Sequence, residues 1–150
     1  MEHNKSKILA QITAGMFGGT TLGIAGFLTM INYGGNYGCW PFIDTLFNGA
    51  GYESCGPFGA LAGLILGAIL GVTIITKIKM TQYSKAALLL AGASFALPFL
   101  YGFIMFWPPF GDDDLLIVPP IVLAFMVASL IPSVLITAAM HWENILRKIK

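Results

Sequence analysis

The two cysteines, Cys39 and Cys55, are the residues of this sequence best suited to redox chemistry. Both lie in a segment of residues 32–57 between two apolar runs, where they can form a structural disulfide or act as a reactive thiol pair. Thiol-disulfide enzymes characteristically use a Cys-x-x-Cys motif, and the sequence C-G-P-F that begins at Cys55 lacks the second cysteine. We therefore predict a structural disulfide, and a membrane thiol-disulfide oxidoreductase is the least favoured of three functional hypotheses.

Three adjacent carboxylates, Asp112, Asp113 and Asp114, could attract a cation. Calcium takes about six to eight oxygen ligands, which usually come from alternating positions. Consecutive aspartates cannot all turn toward one ion without distortion, so we favour a solvated turn and leave cation binding open. We predict no metal site or cofactor elsewhere. A metal site at His141 would need further ligands nearby, and the only other histidine, His3, lies in the N-terminal tail.

A polar stripe of four residues at four-residue spacing runs through the last apolar run: Ser129, Ser133, Thr137 and His141. This spacing places all four on one helix face, where they could line a polar path to the cytoplasm. They could equally form hydrogen bonds between helices, and we favour that interpretation. We expect no catalytic residue, since no Asp, Glu, Lys or Arg lies inside the apolar runs to serve as a nucleophile's partner or to couple an ion.

The elements that carry these residues are four apolar runs at residues 8–31, 58–76, 86–107 and 117–140. Hydrophobic residues make up 57% of the chain and charged residues only 10%, against about 25% charged in a typical soluble domain. Each run is long enough to cross about 30 Å of hydrocarbon as a helix. The sequence predicts an all-α polytopic membrane protein, a four-transmembrane-helix bundle forming one domain over residues 1–150, with an outer loop at 32–57.

Glycines at four-residue spacing mark the first two predicted spans as glycine-zipper helices. The second span carries Gly59, Gly63, Gly67 and Gly71, and the first carries Gly15, Gly19 and Gly23 with Gly18 and Gly26 beside them. Each series forms a groove in which another backbone can come close. We favour packing of the two spans against each other, while an oligomer seam or a pore lining remains an alternative.

Basic residues set the predicted orientation. All eight lie before the first run, between the second and third runs, or after the fourth: Lys5, Lys7, Lys77, Lys79, Lys85, Arg147, Lys148 and Lys150. By the positive-inside rule both termini are cytoplasmic, in a plasma or inner membrane. Basic residues this thinly spread do not predict a nucleic-acid partner.

The loop segments lead to further expectations. Residues 32–38 are rich in Gly and Asn, which predicts a flexible start to the outer loop. Pro41 can begin a short amphipathic helix on the outer membrane surface, with Phe42, Ile43, Leu46 and Phe47 on one face and Asp44 and Thr45 opposite. The short connection between the second and third spans predicts that these two helices are antiparallel neighbours.

The favoured function is a non-enzymatic integral membrane protein, either self-assembling or an accessory or assembly subunit of a larger membrane complex, packed through its glycine-rich faces. Its predicted partners are the lipid bilayer and other membrane protein chains, the same or different, and no soluble substrate is indicated. The alternative is a small oligomeric channel or passive transporter for a neutral or weakly charged solute.

Overall fold

A computed structural model describes residues 2–77, 83–105 and 118–149 of the chain. These residues form five α-helices: α1 (Glu2–Tyr37), α2 (Pro41–Phe47), α3 (Tyr52–Lys77), α4 (Tyr83–Met105) and α5 (Val118–Ile149). The predicted all-α fold is therefore confirmed. The predicted Asp112, Asp113 and Asp114 turn lies outside the described residues.

Three of the helices are long and apolar enough to cross a membrane: Lys5–Tyr37, Tyr52–Lys77 and Pro120–Trp142. They correspond to the first, second and fourth predicted spans. The third corresponds to α4, in which the described apolar stretch Lys85–Ser94 is shorter than a span requires. Three candidate spans are thus established, and the fourth stays a prediction.

The polarity of the bundle is that of a membrane protein, with hydroxyls and an amide inside and large apolar side chains outside. The buried polar residues are Gln11, Thr20, Ser54, Ser94, Ser129, Ser133 and Thr137. The exposed side chains include Leu61, Leu66 and Leu70 on α3 and Ile131 and Leu135 on α5. An apolar outer surface of this kind is stable in lipid, whereas its exposure to water would be unfavourable.

Helix α1 continues to Tyr37, so the prediction of a flexible segment at residues 32–38 is wrong. Two local contacts hold the extra turns: Asn36 Nδ2 donates to the carbonyl oxygen of Asn32 at 2.9 Å, and the rings of Tyr33 and Tyr37 lie 5.4 Å apart. The helix ends at Gly38, whose φ of 77° is open to glycine at little cost. Contacts between residues four apart have here outweighed the weak helix propensity of Gly and Asn.

Helix α3 begins at Tyr52, six residues before the predicted boundary, and includes Pro57. Proline removes one backbone hydrogen bond, but its fixed φ is close to the helical value. The first turn is held from outside, because the Ser54 hydroxyl donates to the Asp44 carboxylate and Cys55 is covalently tied to Cys39. The predicted outer loop at 32–57 therefore contains little irregular chain.

The predicted helix at Pro41 is confirmed as α2, but the apolar residues predicted to share one face are divided between the protein interior and the outer surface. Ile43 is buried and Asp44 turns toward α3, whereas Phe42 and Leu46 are 65% and 70% exposed. The hydrogen bond from Ser54 fixes the rotation of α2 about its axis, since it holds the Asp44 side chain on the protein side.

Helix α1 lies at the centre of the bundle and contacts α3, α4 and α5. Among the described residues, no Cα atom of α3 lies within 8 Å of a Cα atom of α4, so the prediction that these helices are direct neighbours is wrong. The reason is that α1 joins both: its Ala10 and Ala14 share one buried cluster with Ile75, Tyr83 and Ala87. A short connection limits how far apart two helix ends lie, but it does not prevent a third helix from packing against both.

Candidate functional site

The first part of the bundle interior is a seam where the backbones of α1 and α3 touch. A Cβ atom added to Gly63, Gly67 or Gly71 would overlap a carbonyl oxygen of α1. The pairs across this seam are Ala14 with Gly71, Gly18 with Gly67, Leu22 with Gly63, and Gly26 with Gly59. The two helices are thus antiparallel, and every fourth residue of α1 meets every fourth residue of α3. Only glycine leaves room for this approach.

The same register continues to the end of the bundle where α1 stops. A Cβ atom on Gly34 would lie 2.7 Å from the carbonyl oxygen of Gly51. From Ala14 to Gly34 the seam is about 30 Å long at 1.5 Å per residue, which equals the thickness of the hydrocarbon core. The seam is therefore about as long as the hydrocarbon core of a membrane is thick.

The second part of the interior is a seam between α1 and α5. A Cβ atom on Gly15 would lie 2.6 Å from Ser133 Oγ, and one on Gly19 would lie 2.8 Å from Ser129 Cβ. Gly23 continues the series, 3.0 Å from Phe125 Cδ1. The glycines of α1 therefore divide into two rows. Gly18 and Gly26 meet the backbone of α3, whereas Gly15, Gly19 and Gly23 lie between α5 and the α3 residues Val72 and Leu64.

The α1–α5 seam also contains hydrogen bonds between helices. Ser129 Oγ lies 3.1 Å from Thr20 Oγ1, 3.2 Å from the carbonyl oxygen of Met16 and 2.8 Å from that of Met126. A serine hydroxyl has one proton, so Ser129 donates to one of these partners at a time, and when it donates to a carbonyl it can accept from Thr20. Ser133 donates to the carbonyl oxygen of Ser129 at 2.6 Å. Both serines of the predicted stripe are thus buried and bonded within the chain.

At the end of the bundle where α1 begins, one amide joins three helices. Gln11 Oε1 lies 2.9 Å from His141 Nε2, and Gln11 Nε2 donates to Thr76 Oγ1 at 2.9 Å. Thr76 in turn donates to the carbonyl oxygen of Val72 at 2.7 Å. Since Gln11 Oε1 can only accept, His141 donates through Nε2 in this arrangement. We call Gln11, Thr76 and His141 the polar clasp.

Sequence reasoning missed Gln11, Thr20 and Thr76. A signal for Gln11 was present, because it is the only amide residue in the apolar run 8–31. An amide in lipid is costly unless it is paired, so its position in the run marks a contact between helices. Thr20 and Thr76 give no such signal, since a threonine in a span can satisfy its hydroxyl on its own helix.

Thr137 differs from the other residues of the stripe. It is only 3% exposed, and its Oγ1 has no hydrogen-bond partner in the described part of the chain. The pairs Gly15 with Ser133 and Gly19 with Ser129 place it level with Gln11. Other threonines of the described helices donate to a carbonyl four residues earlier: Thr13, Thr21, Thr29, Thr45, Thr73 and Thr76. Thr137 therefore carries an unused polar atom in the interior.

An aromatic contact follows the polar stripe toward the opposite end of the bundle. The rings of Phe27 and Phe125 lie 6.1 Å apart in an edge-to-face arrangement. Phe125 occupies the α5 position four residues before Ser129, so this pair stands next in line after the hydrogen-bonded hydroxyls. Within one chain, the stripe is a packed seam that runs from the polar clasp to this aromatic pair.

The Cys39–Cys55 disulfide predicted from the sequence is present, with the two Cα atoms 5.6 Å apart. It joins the residue after Gly38, at the end of α1, to the first turns of α3. Neither cysteine in the described chain is free, and Cys55 is fully buried. Among the described residues, no group of three or more His, Cys, Asp or Glu side chains is placed to hold a metal ion.

Comparison of the chain with protein-family models, with curated proteins and with solved structures found no match. What the protein does must therefore be inferred from its own contacts.

Proposed function

We propose that this protein is a non-enzymatic, four-span integral membrane component that assembles with itself or serves as an accessory subunit of a larger membrane complex. One observation carries the proposal. Apart from the Thr137 hydroxyl, the buried hydroxyls and the zipper glycines with which a small membrane protein could line a path are taken up by contacts inside the chain, while large apolar side chains face outward. Such a bundle offers a rigid, apolar side surface as its means of interaction.

The surface available to a partner chain consists of the helix faces that no other helix of this chain covers. The zipper glycines of α1 and α3 are covered by each other and by α5, so they cannot also receive a second chain. The outward faces of α3, α4 and α5 can, with Leu66, Leu88 and Leu135 among their exposed side chains. Packing against another chain would therefore use these faces and not the glycine stripes.

The orientation and the fourth span are part of the same proposal. If α4 crosses the membrane, both termini and the connection between α3 and α4 lie on one side, which is where all eight basic residues occur. That side is the cytoplasm. A reporter fused after Lys150 should be cytoplasmic, and a cysteine introduced at Asp113 should be labelled from outside intact cells; labelling only after the membrane is broken would contradict the topology.

Cross-linking in the native membrane tests the assembly. Single cysteines replace Leu61, Ile65, Leu66, Ile69 and Leu70, which are exposed along α3, in a Cys39→Ser, Cys55→Ser background. A defined interface should give a cross-linked product of fixed mass from adjacent positions on one side of the helix only. Single cysteines at Leu88 and Leu135 probe α4 and α5 in the same way. Equal, weak cross-linking at all positions, or none at any of them, would contradict assembly through these faces.

The unused hydroxyl of Thr137 favours a second candidate, a channel or passive transporter for a neutral solute. A conducting path would start at the polar clasp and follow Thr137, Ser133 and Ser129. Liposome swelling in glycerol and urea tests it, with Thr137→Leu as the blocking variant and Thr73→Leu, at a half-buried position on α3, as the matched control. If liposomes with the wild type or Thr73→Leu swell faster than protein-free liposomes and those with Thr137→Leu do not, the channel would replace the assembly proposal.

A further inference from the structure

Helix α2 has the opposite polarity from a helix that faces water. Its carboxylate, Asp44, turns toward the protein and accepts a hydrogen bond from Ser54, while Phe42 and Leu46 point outward. A short surface helix in water normally exposes its charged residue and buries its large apolar ones. The exposed side chains of α2, which are Pro41, Phe42, Thr45 and Leu46, are instead uncharged and mostly apolar, like the outward faces of the three candidate spans.

Aromatic rings extend this apolar surface from α2 to α1 and α3. Trp40 stacks on Tyr33 with ring centroids 5.6 Å apart and meets Phe58 edge-on at 6.5 Å. Trp40 and Tyr37 remain 45% and 80% exposed despite these contacts. Trp and Tyr prefer the boundary between hydrocarbon and water, where the ring lies in the apolar layer and its N–H or O–H reaches a polar group.

The depth of these rings agrees with that boundary. Tyr33 lies just after the apolar run 8–31, and Phe58 is the first residue of the apolar run 58–76. Trp40 touches both rings, so it lies level with the ends of the two runs. No lysine or arginine occurs anywhere in residues 32–57 to hold the segment in the aqueous phase.

We propose that Trp40, Phe42 and Leu46, with Tyr37, form a collar that inserts into the bilayer interface at the end of the bundle where α1 stops and α3 begins. The collar contacts lipid headgroups and the upper acyl chains. The Cys39–Cys55 disulfide and the Asp44–Ser54 hydrogen bond keep α2 against α3, so the collar stays at this depth. This lipid contact is independent of whether the protein is an assembly subunit or a channel.

Fluorescence quenching in vesicles tests the collar directly. In the first variant, Trp107→Phe with Trp142→Phe leaves Trp40 as the only tryptophan. In the second, Leu46→Trp is added to Trp40→Phe, Trp107→Phe and Trp142→Phe. Each is reconstituted at high dilution in phosphatidylcholine vesicles, with or without bromine atoms on the upper part of the acyl chains, and titrated with iodide.

Both variants should lose fluorescence in brominated vesicles, as a mid-span control with Leu66→Trp does, and both should be protected from iodide relative to free N-acetyl-tryptophanamide. Quenching by iodide without quenching by brominated lipid would place α2 in water and overturn the proposal. Protection from both quenchers would show that a second protein chain covers this surface, which also overturns it. The two positions report separately, so the result does not depend on the folding of one variant.

Discussion

Helix α1 meets α3 and α5 through two different kinds of contact. Against α3, carbonyl oxygens of α1 lie where Cβ atoms of Gly63, Gly67 and Gly71 would be, so backbone touches backbone. Against α5, Gly15 and Gly19 make room for the side chains of Ser133 and Ser129, which also form hydrogen bonds. At Gly63, Gly67 and Gly71 the nearest atoms are all backbone, whereas at Gly15 they are side-chain atoms, which can shift more easily. The two seams should therefore respond differently to added bulk.

The largest effect is expected from Gly67→Leu in the α1–α3 seam. The added side chain meets the backbone of Gly18, so the two helices must separate over several turns. We expect the free energy of unfolding in detergent to fall by about 3 kcal/mol or more. Gly92→Leu is the matched control, because a Cβ atom at Gly92 would meet nothing within 4 Å; it should unfold no more easily than the wild type.

The same variant distinguishes an intramolecular seam from an intermolecular one. If Gly67→Leu stayed as stable as Gly92→Leu in a monomeric detergent complex and lost only its association with other chains, the seam described between α1 and α3 would be contradicted.

Removing the disulfide should have the next largest effect. Cys39 and Cys55 are 16 residues apart, and closing a loop of that size is worth about 3 kcal/mol in the chain-entropy model, somewhat less where packing already restricts the chain. Cys39→Ser with Cys55→Ser should lower the melting temperature while leaving assembly intact, because the α1–α3 seam is unchanged. Loss of function in a double variant that remains folded and abundant would instead support a thiol enzyme.

A smaller effect is expected from Gly15→Ala in the α1–α5 seam, at about 1 kcal/mol. The added methyl group meets Ser133 Oγ and Val72 Cγ2, both of them side-chain atoms. Adding Ser133→Gly should restore part of the loss, which a double-mutant cycle would measure as a coupling energy. The same cycle across the α1–α3 seam, Gly67→Ala with Gly18→Ala, should show no rescue, since both clashes there are with backbone; rescue in that pair would remove the distinction between the seams.

The smallest effects separate the used and unused hydroxyls of α5. Ser129→Ala should destabilise the protein by about 0.6 kcal/mol, the average for a hydrogen bond between membrane helices. Thr137→Val keeps the shape of the side chain and removes a buried hydroxyl without a partner, so it should be neutral or stabilising by about 1 kcal/mol. Thermal unfolding of the two variants side by side checks this, and a larger loss in Thr137→Val would show that its hydroxyl has a ligand.

Much of the fold follows from periodicity and composition. Three of the four predicted spans correspond to the candidate spans, and Pro41 predicted the beginning of α2. The position of Cys39 and Cys55 in one connecting segment predicted their disulfide. In each case the information is local, since a run of apolar residues, a proline or two nearby cysteines restrict the structure wherever the chain folds.

The misplaced boundaries have a physical cause in common. Asn36 and Tyr37 are held in α1 by bonds to Asn32 and by ring contact with Tyr33, and the first turn of α3 is held by Ser54 and Cys55. These contacts are worth more than the propensity of the individual residues, which is a weak guide to structure. The burial of Ile43 on the other side from Phe42 and Leu46 has a similar cause, because the hydrogen bond from Ser54 to Asp44 fixes the rotation of α2 about its axis.

The sequence by itself determined that this chain is helical, that three of its helices can span a membrane, and that two of them carry glycine rows where backbones can meet. Only the tertiary structure decided which row meets which helix. Glycines on α1 point over a wide arc, and either α3 or α5 could in principle have received any of them. The choice depends on the shape of the surface that each glycine row meets. The carbonyl oxygens of α1 fit against the glycine stripe of α3, which has no side chains. The serines of α5 pack against the row of α1 that contains Gly15 and Gly19, where a side chain and its hydrogen bond both have room.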